Sequence, residues 1–346
     1  MMNLQCPMPK FDFETIQLGH GSGGILSQQL LNSGVFDVLK NELLDTRHDG
    51  AIFDLSGKIA YSTDSYVVTP LFFPGGNIGE LAVYGTVNDL AMCGAQAKYL
   101  SLAFILEEGM PVAEFWAVLA SIKAACDKAG VTVVTGDTKV VERGKGDQLF
   151  VNTSGIGLVH PQASIRLDRI LPGDKILLNR SVANHGIAIM SQRSGLEFET
   201  DVESDTRPLN GAVLQLLNRF GNDIHFLRDA TRGGLASVLN EIAKDGHHGL
   251  AIREAAIPVR EQVSGACEML GLDPLYVANE GVFVSIVSEQ VAAQALELLR
   301  AEEDGQEAAI IGEVVTDHRG QVILQSRIGG RRVVHMLPGE QLPRIC

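Results

Sequence analysis

The sequence predicts an α+β protein of two domains of similar length followed by a tail, and three observations carry that reading. Strand-like runs alternate with long helical runs through the first half of the chain. The same alternation restarts after a polar, turn-rich stretch at residues 160–174, and the closing LPGEQLPRIC holds two prolines and no periodicity. A chain of 346 residues can hold two ordinary domains, and 45% hydrophobic with 20% charged residues is normal for a soluble globular protein. Aromatic residues make up only 5%, so the core must be built mainly from Ala, Val, Ile and Leu.

Residues 1–18 read as a leader. GHGSGG then opens a helical pattern over residues 25–44, and KIAYSTDSYVVTP, from Lys58, reads as a strand. FFPGGN is a turn, and residues 78–93 have helical spacing that stops at Gly94. Residues 99–106 read as a buried strand. An amphipathic helix over 112–129 places Phe115, Leu119, Ile122 and Cys126 at three- and four-residue steps and ends at Gly130. Residues 131–134 and 149–159 complete a β-α-β-α-β-β series, a layer with helices on one sheet face. This defines a first domain over 19–160. A second, over 170–330, holds strands at 175–178, 250–252, 282–287, 309–315 and 321–324. Its helices fall at 183–192, 209–219, 234–244, 259–270 and 289–300. Residues 337–346 form the tail.

Composition excludes several classes of function. The net charge is −14 and no Lys/Arg run occurs, which argues against a polyanionic nucleic-acid partner. A phosphorylated ligand must therefore be held locally, by backbone N–H groups and metal ions. The N-terminal residues lack a secretory pattern, and no stretch approaches the roughly 20 apolar residues of a membrane span. Cys6, Cys93, Cys126, Cys267 and Cys346 are odd in number and contain no C-x-x-C pair, which points to reduced thiols of the cytoplasm. Cys93, Cys126 and Cys267 lie in helical patterns and read as small buried hydrophobes.

Four features carry candidate chemistry. Gly19, His20, Gly21, Ser22, Gly23 and Gly24 form a glycine-rich turn able to aim N–H groups at an anion, although no Gly-Lys-Ser/Thr follows. Asp64 and Asp137 follow strand patterns, Asp89 sits in an otherwise nearly apolar helix, and Asp229 precedes Ala-Thr-Arg-Gly-Gly. Each alone reads first as a cap or turn residue. Together they suggest a site for a hard cation such as Mg²⁺, which prefers carboxylate oxygens and bridges phosphates. Lys139 beside Asp137, and Arg232 beside Asp229, would neutralise phosphoryl oxygens or form local salt bridges. Glu280, between two apolar runs, is either a turn carboxylate or a desolvated base.

In combination the segments are specific. GHGSGG, STDSYVVTPLFFPGGNIGELA, VNDLAMCGA, TGDTKVVERG, RDATRGG, ANEG and the terminal PRIC resemble the HypE family of hydrogenase maturation factors, from about residue 16 to residue 346. That family belongs to the aminoimidazole ribonucleotide synthetase and selenophosphate synthetase superfamily. The resemblance implies a two-domain PurM-like (AIR synthetase-like) fold with a flexible C-terminal tail, and an N-terminal domain that pairs with its twin in a homodimer near bound ATP. It implies that Cys346 receives a carbamoyl group from the carbamoyltransferase HypF. ATP then drives dehydration of this S-carboxamide to a thiocyanate, and the cyano group passes to iron on a HypC–HypD complex. His20, Gly21, Ser22, Gly23, Gly24, Asp64, Asn88, Lys139 and Arg232 would contact the nucleotide. Asp64, Asp89, Asp137 and Asp229 would hold Mg²⁺, and Glu280 and Lys139 would act with Cys346 in the chemistry. Two alternatives stay open: an enzyme of the same superfamily acting on a free small molecule, and a non-catalytic carrier of a cyano group.

The tail is long enough for such a role. From Pro338 to Cys346 an extended chain reaches roughly 25–30 Å at about 3.3 Å per residue, and Pro338 and Pro343 stiffen it.

Overall fold

Two sheets, each built on a strongly apolar strand or helix, organise the chain in the computed structural model, which describes residues 8, 11–194, 202–337 and 339. The first sheet comprises β1 (Ile59–Tyr66), β4 (Ala95–Glu107), β5 (Thr132–Val141) and β6 (Leu149–Val159), in the order β1-β6-β4-β5. A small hairpin, β2 (Phe72–Phe73) and β3 (Gly76–Asn77), precedes the sheet's covering helices. Of the helices before it, α1 (Ile25–Leu30) and α2 (Phe36–Val38) are short. The two long ones, α3 (Ile78–Met92) and α4 (Val112–Ala129), cover one sheet face. The Asn77 side-chain oxygen accepts from the N–H groups of Gly79 and Glu80 and caps α3, while Gly130, at φ +69°, ends α4. Phe115, Leu119, Ile122 and Cys126 are all buried, as the helical spacing requires.

The second sheet draws on β7 (Lys175–Leu178), β8 (Ile224–Asp229), β9 (Gly249–Arg253), β10 (Phe283–Val287), β11 (Ala309–Val315), β12 (Val322–Gln325) and β13 (Arg331–Val334). Its order is β13-β12-β9-β11-β7-β10-β8. The helices are α5 (Asn184–Ser194), α6 (Asn210–Phe220), α7 (Gly234–Asp245), α8 (Glu261–Leu270) and α9 (Ala292–Ala301). Leu235, Leu239 and Ile242 of α7 pack with Ile176, Leu178 and Val284 on one face. Leu216 and Leu217 of α6 and Leu299 of α9 pack with Leu177, Leu227 and Phe283 on the other. All five residues of β10 are therefore buried, which explains its unbroken apolar run. Among the described residues, no helix is long and apolar enough to cross a membrane.

Four local expectations need correction. The helical pattern over 25–44 breaks into α1, a π turn at Leu31–Val35 and α2, and the chain leaves the helix at Leu39. Asn41 stops it: its amide donates to Leu39 and Val133 carbonyls, and its oxygen accepts from the N–H groups of Leu43 and Leu44. The strand expected over 131–134 continues to Val141 because β5 pairs in parallel with β4 along its length, so Asp137 lies inside a strand. Asp64 lies inside β1, as the strand read over KIAYSTDSYVVTP places it, and not after a strand end. β8 and β13 went unread: IHFLRD and RRVV show little alternation, and their neighbours define them as strands. Finally, Cys93 is exposed at the end of α3, whereas Cys126 and Cys267 are buried.

The contact of α3 with β1 is close enough to test. A Cβ at Gly85 would fall 2.0 Å from the buried Tyr66 hydroxyl, so Gly85→Ala must displace a packed ring. It should cost about 1–3 kcal/mol, as overpacking does. Thermal unfolding checks this; an unchanged midpoint would contradict the packing described.

Candidate active site

The candidate residues gather in two cavities, not one. The first, about 230 Å³, lies between the glycine-rich turn and β5, with Leu31, Val35 and Phe36 inside and Asp137 and Lys139 at its rim. Ser27 holds the turn: its hydroxyl donates to the carbonyls of His20 and Gly19 and accepts from the Gly23 N–H. Glycine is required at position 21, where a Cβ would stand 2.5 Å from the Val140 nitrogen, and at Gly23, whose φ is +77°. His20 is buried against Phe13, and burial holds its imidazole below the ordinary histidine value. Its Nδ1 accepts from the Gln17 N–H, while Nε2 is buried without a partner. The helix that follows has only six residues, so its dipole adds less to an anion site than the sequence pattern suggested. Gly24 and Ser22 shape the turn but do not line the cavity. Lys139 pairs with Asp137 at 3.1 Å, with the two side chains 63% and 61% exposed. So exposed a pair is worth about 0–1 kcal/mol, and Lys139 can leave it for a phosphate at little cost.

The second cavity, about 40 Å³, lies where the two sheets meet and is lined by Asp64, Asp89, Asp229, Glu280 and Arg232, with Tyr66. Strand alternation points Ser62 and Asp64 to the α3 side of β1, and the Ser62 hydroxyl donates to Asp89 at 2.7 Å. Asp229 is the last residue of β8 and pairs with Phe283, which brings the preceding Glu280 alongside. The charges crowd. Burial first, then Asp89, pushes the Asp229 carboxyl up to about 7. Burial also raises Asp89, against the pull of its bond to Ser62. Glu280 is raised well above its ordinary value by burial, then by Asp205, Asp229 and Asp64, with Arg232 opposing.

This donor set suits Mg²⁺, because a cation would relieve the mutual repulsion of carboxylates that are otherwise costly to ionise. No group of three or more His, Cys, Asp or Glu among the described residues is placed to hold a metal alone.

Asp137 and Lys139 do not join this set within one chain. β5 stands three strand spacings from β1, about 14 Å, and Asp137 falls in the row of Ser65, Asn152 and Ala103, on the face opposite Asp64. Asn88, expected to contact nucleotide, is buried and used internally. Its amide donates to the carbonyls of Arg207 and Glu280 and its oxygen accepts from the Leu209 N–H. Cys346 lies outside the described residues. Sequence reasoning missed Ser62 and Asp205. The first could be found from its two-residue spacing to Asp64 on a strand; nothing local marks the second.

With this geometry in place, comparisons define relatives. Residues 47–159 match the N-terminal domain of the AIR synthase related proteins, and residues 172–325 their C-terminal domain. The chain is 51% identical over 333 residues to a carbamoyl dehydratase HypE from Azotobacter vinelandii, covering 96% of this chain and 97% of that one. A crystal structure of a hydrogenase maturation protein HypE in complex with ATP matches with a TM-score of 0.93 and 49% identity, covering 96% of this chain and 100% of that one. A chain in a HypE–HypF complex matches with a TM-score of 0.79 and 43% identity, covering 91% and 100%.

The raised Asp229 carboxyl has a signed consequence for the metal-free protein. While Asp229 is protonated in both folded and unfolded states it costs nothing; as pH rises past the ordinary aspartate value the unfolded chain gains from ionisation and the fold does not. Stability is thus lost progressively up to about pH 7 and stays lost above it. Asp229→Asn should raise the thermal midpoint at pH 8 relative to wild type and far less at pH 5. Equal shifts at both pH values, with Mg²⁺ and nucleotide excluded, would contradict the crowding.

Proposed function

This chain belongs to the HypE family of carbamoyl dehydratases, within the AIR synthase related proteins, and from that premise we propose that it uses ATP to convert an S-carboxamide on its own Cys346 into a thiocyanate. The observation that carries this is the acidic cavity at the junction of the two sheets, in which buried Glu280 and three half-buried aspartates stand with an exposed Arg232. Removing water from an amide requires making its oxygen a leaving group. The carboxamide oxygen attacks the γ-phosphorus of ATP, ADP departs, and nitrogen gives up one proton as the C=N bond forms. Loss of the second N–H proton then expels phosphate and leaves the nitrile on sulfur. The oxygen of the lost water leaves in phosphate.

The chain's own groups divide this work. Glu280 accepts a proton from nitrogen, and burial with the neighbouring carboxylates raises its proton affinity, which strengthens it as a base. Arg232 faces the charge that develops on the transferred phosphoryl group. Asp64, Asp89 and Asp229 would hold Mg²⁺, which supplies Lewis-acid stabilisation of the phosphate charge. The first cavity, apolar within and polar at the rim, fits a nucleotide base with its phosphates toward Gly21, Gly23 and Lys139.

A homodimer reconciles the two cavities. The uncovered face of the first sheet carries Ile59, Tyr61 and Ile105, which are 50%, 64% and 43% exposed, with Tyr61, Ile156 and Tyr99 in one row. Pairing two such faces would bury this apolar surface and bring Asp137 and Lys139 of one copy toward β1 of the other. A HypF-type carbamoyltransferase as donor and a HypC–HypD complex as acceptor complete the reading, in the cytoplasm.

Intact-protein mass spectrometry tests it. After incubation with HypF, carbamoyl phosphate, ATP and Mg²⁺, Cys346 should gain a carbamoyl group and then lose one water. Cys346→Ala should abolish both changes while ATP still binds. A carbamoyl adduct that never loses water would sink the dehydratase reading. Mixing inactive Lys139→Ala and Glu280→Gln proteins should restore turnover that neither shows alone, since one site of each mixed dimer is intact; no recovery after demonstrated subunit exchange would refute the shared site.

A further inference from the structure

Behind Glu280 a segment over residues 202–209 fastens the two halves of the molecule together. The Ser204 N–H donates to the Pro74 carbonyl beside the β2–β3 hairpin, and Asn88 of α3 grips the Arg207 carbonyl and the Leu209 N–H. Between these anchors Asp205, only 2% exposed, turns toward the second sheet, and its Oδ1 accepts the backbone N–H of Glu280 at 2.9 Å. The two backbones run so close that a Cβ on Gly281 would stand 1.9 Å from the Asp205 carbonyl oxygen. Glu280 is thus fixed from both sides, with Asn88 holding its carbonyl and Asp205 its N–H.

A buried carboxylate needs compensation, and Arg180 stands close enough for the two charges to attract. Arg180 is 5% exposed, and its Nε and Nη1 are buried without partners, as is the second oxygen of Asp205. These unspent donors and acceptor leave the pair free to hold Asp205 in place directly or through a bridging water.

We propose that Asp205, backed by Arg180, is a positioning residue that sets where Glu280 presents its carboxylate to the reacting nitrogen. This rests on the reading of Glu280 as the proton acceptor. Neither Asp205 nor Arg180 lines the acidic cavity, so, beside the repulsion between the two carboxylates, their effect passes through the backbone of residue 280. A shift of this kind leaves nucleotide binding alone and slows the chemical step.

The experiment is a single turnover of full-length protein carbamoylated on Cys346, started with ATP and Mg²⁺ and followed by intact mass, with ATP affinity measured by calorimetry. Asp205→Ala should slow loss of water by roughly 10- to 100-fold, the scale of a misplaced catalytic group, with ATP affinity unchanged. Asp205→Asn keeps an oxygen to accept the Glu280 N–H and should recover most of the rate. Should the alanine variant fail to fold, Gly281→Ala carries the test, because its added methyl group forces residues 280 and 281 off Asp205 with the same expected loss. Wild-type turnover in the folded alanine or Gly281→Ala variant would overturn the proposal, as would parallel loss of rate and ATP affinity in both Asp205 variants. Glu280→Gln run alongside separates the two readings. If it turns over, Glu280 is not the base; if it is dead while Asp205→Ala is normal, only the positioning role falls.

Discussion

Four carboxylates lining one cavity at the sheet junction repel one another, with a single arginine opposing, and the protein must spend structure to keep them there. Ionised groups in low dielectric disfavour their own charge, as the upward shifts of Asp89, Asp229 and Glu280 show. The carboxylates cannot move apart to relax this, because each is anchored to a rigid element. Asp64 is fixed by pairing of β1 with β6, Asp89 by a helix buried along almost its whole length, and Asp229 by its place opposite Phe283. Glu280 is held by hydrogen bonds at both ends of its peptide unit. Electrostatic strain that the fold can sustain without ligand is strain that a phosphate-bound cation can relieve.

That constraint explains where the rest of the molecule puts its polar groups. Asn88 is one of few buried polar residues in α3, and it serves as a fastener between the two halves. Ser62 spends its hydroxyl on Asp89, stabilising the charged form that burial opposes. Asp137 and Lys139 stay on an exposed sheet face, where a weak mutual pair keeps both available. The division is one of chemistry: a cavity beside the glycine-rich turn that is largely apolar within, and a charged cavity at the sheet junction.

Much of this was legible in the sequence where a local signal was strong. The spacing of Phe115, Leu119, Ile122 and Cys126 gave α4, and the apolar run around Phe283 gave a strand, which the structure buries on both faces. GHGSGG, the four aspartates, Arg232 and Glu280 were recognisable as chemistry-bearing segments. Signals failed where a neighbour decides the structure. IHFLRD becomes a strand only by pairing with β10, and Asn41 ends a helix by reaching a carbonyl 92 residues away. Cys93 has a helical, apolar neighbourhood in sequence yet emerges at the surface just past the end of α3.

What the sequence determined by itself is the family, the alternation of strands and helices and the segments that are candidates for phosphate, cation and thiol chemistry. These depend on local pattern and on residue chemistry. Tertiary structure alone decided that Asp64, Asp89 and Asp229 meet Glu280 while Asp137 and Lys139 stand three strands away on the other face. It also turned Asn88 from an expected nucleotide ligand into a fastener and revealed Asp205 behind Glu280. The reason is physical: strand order, sheet face and the meeting of distant segments follow from long-range pairing and burial, which no window of sequence contains.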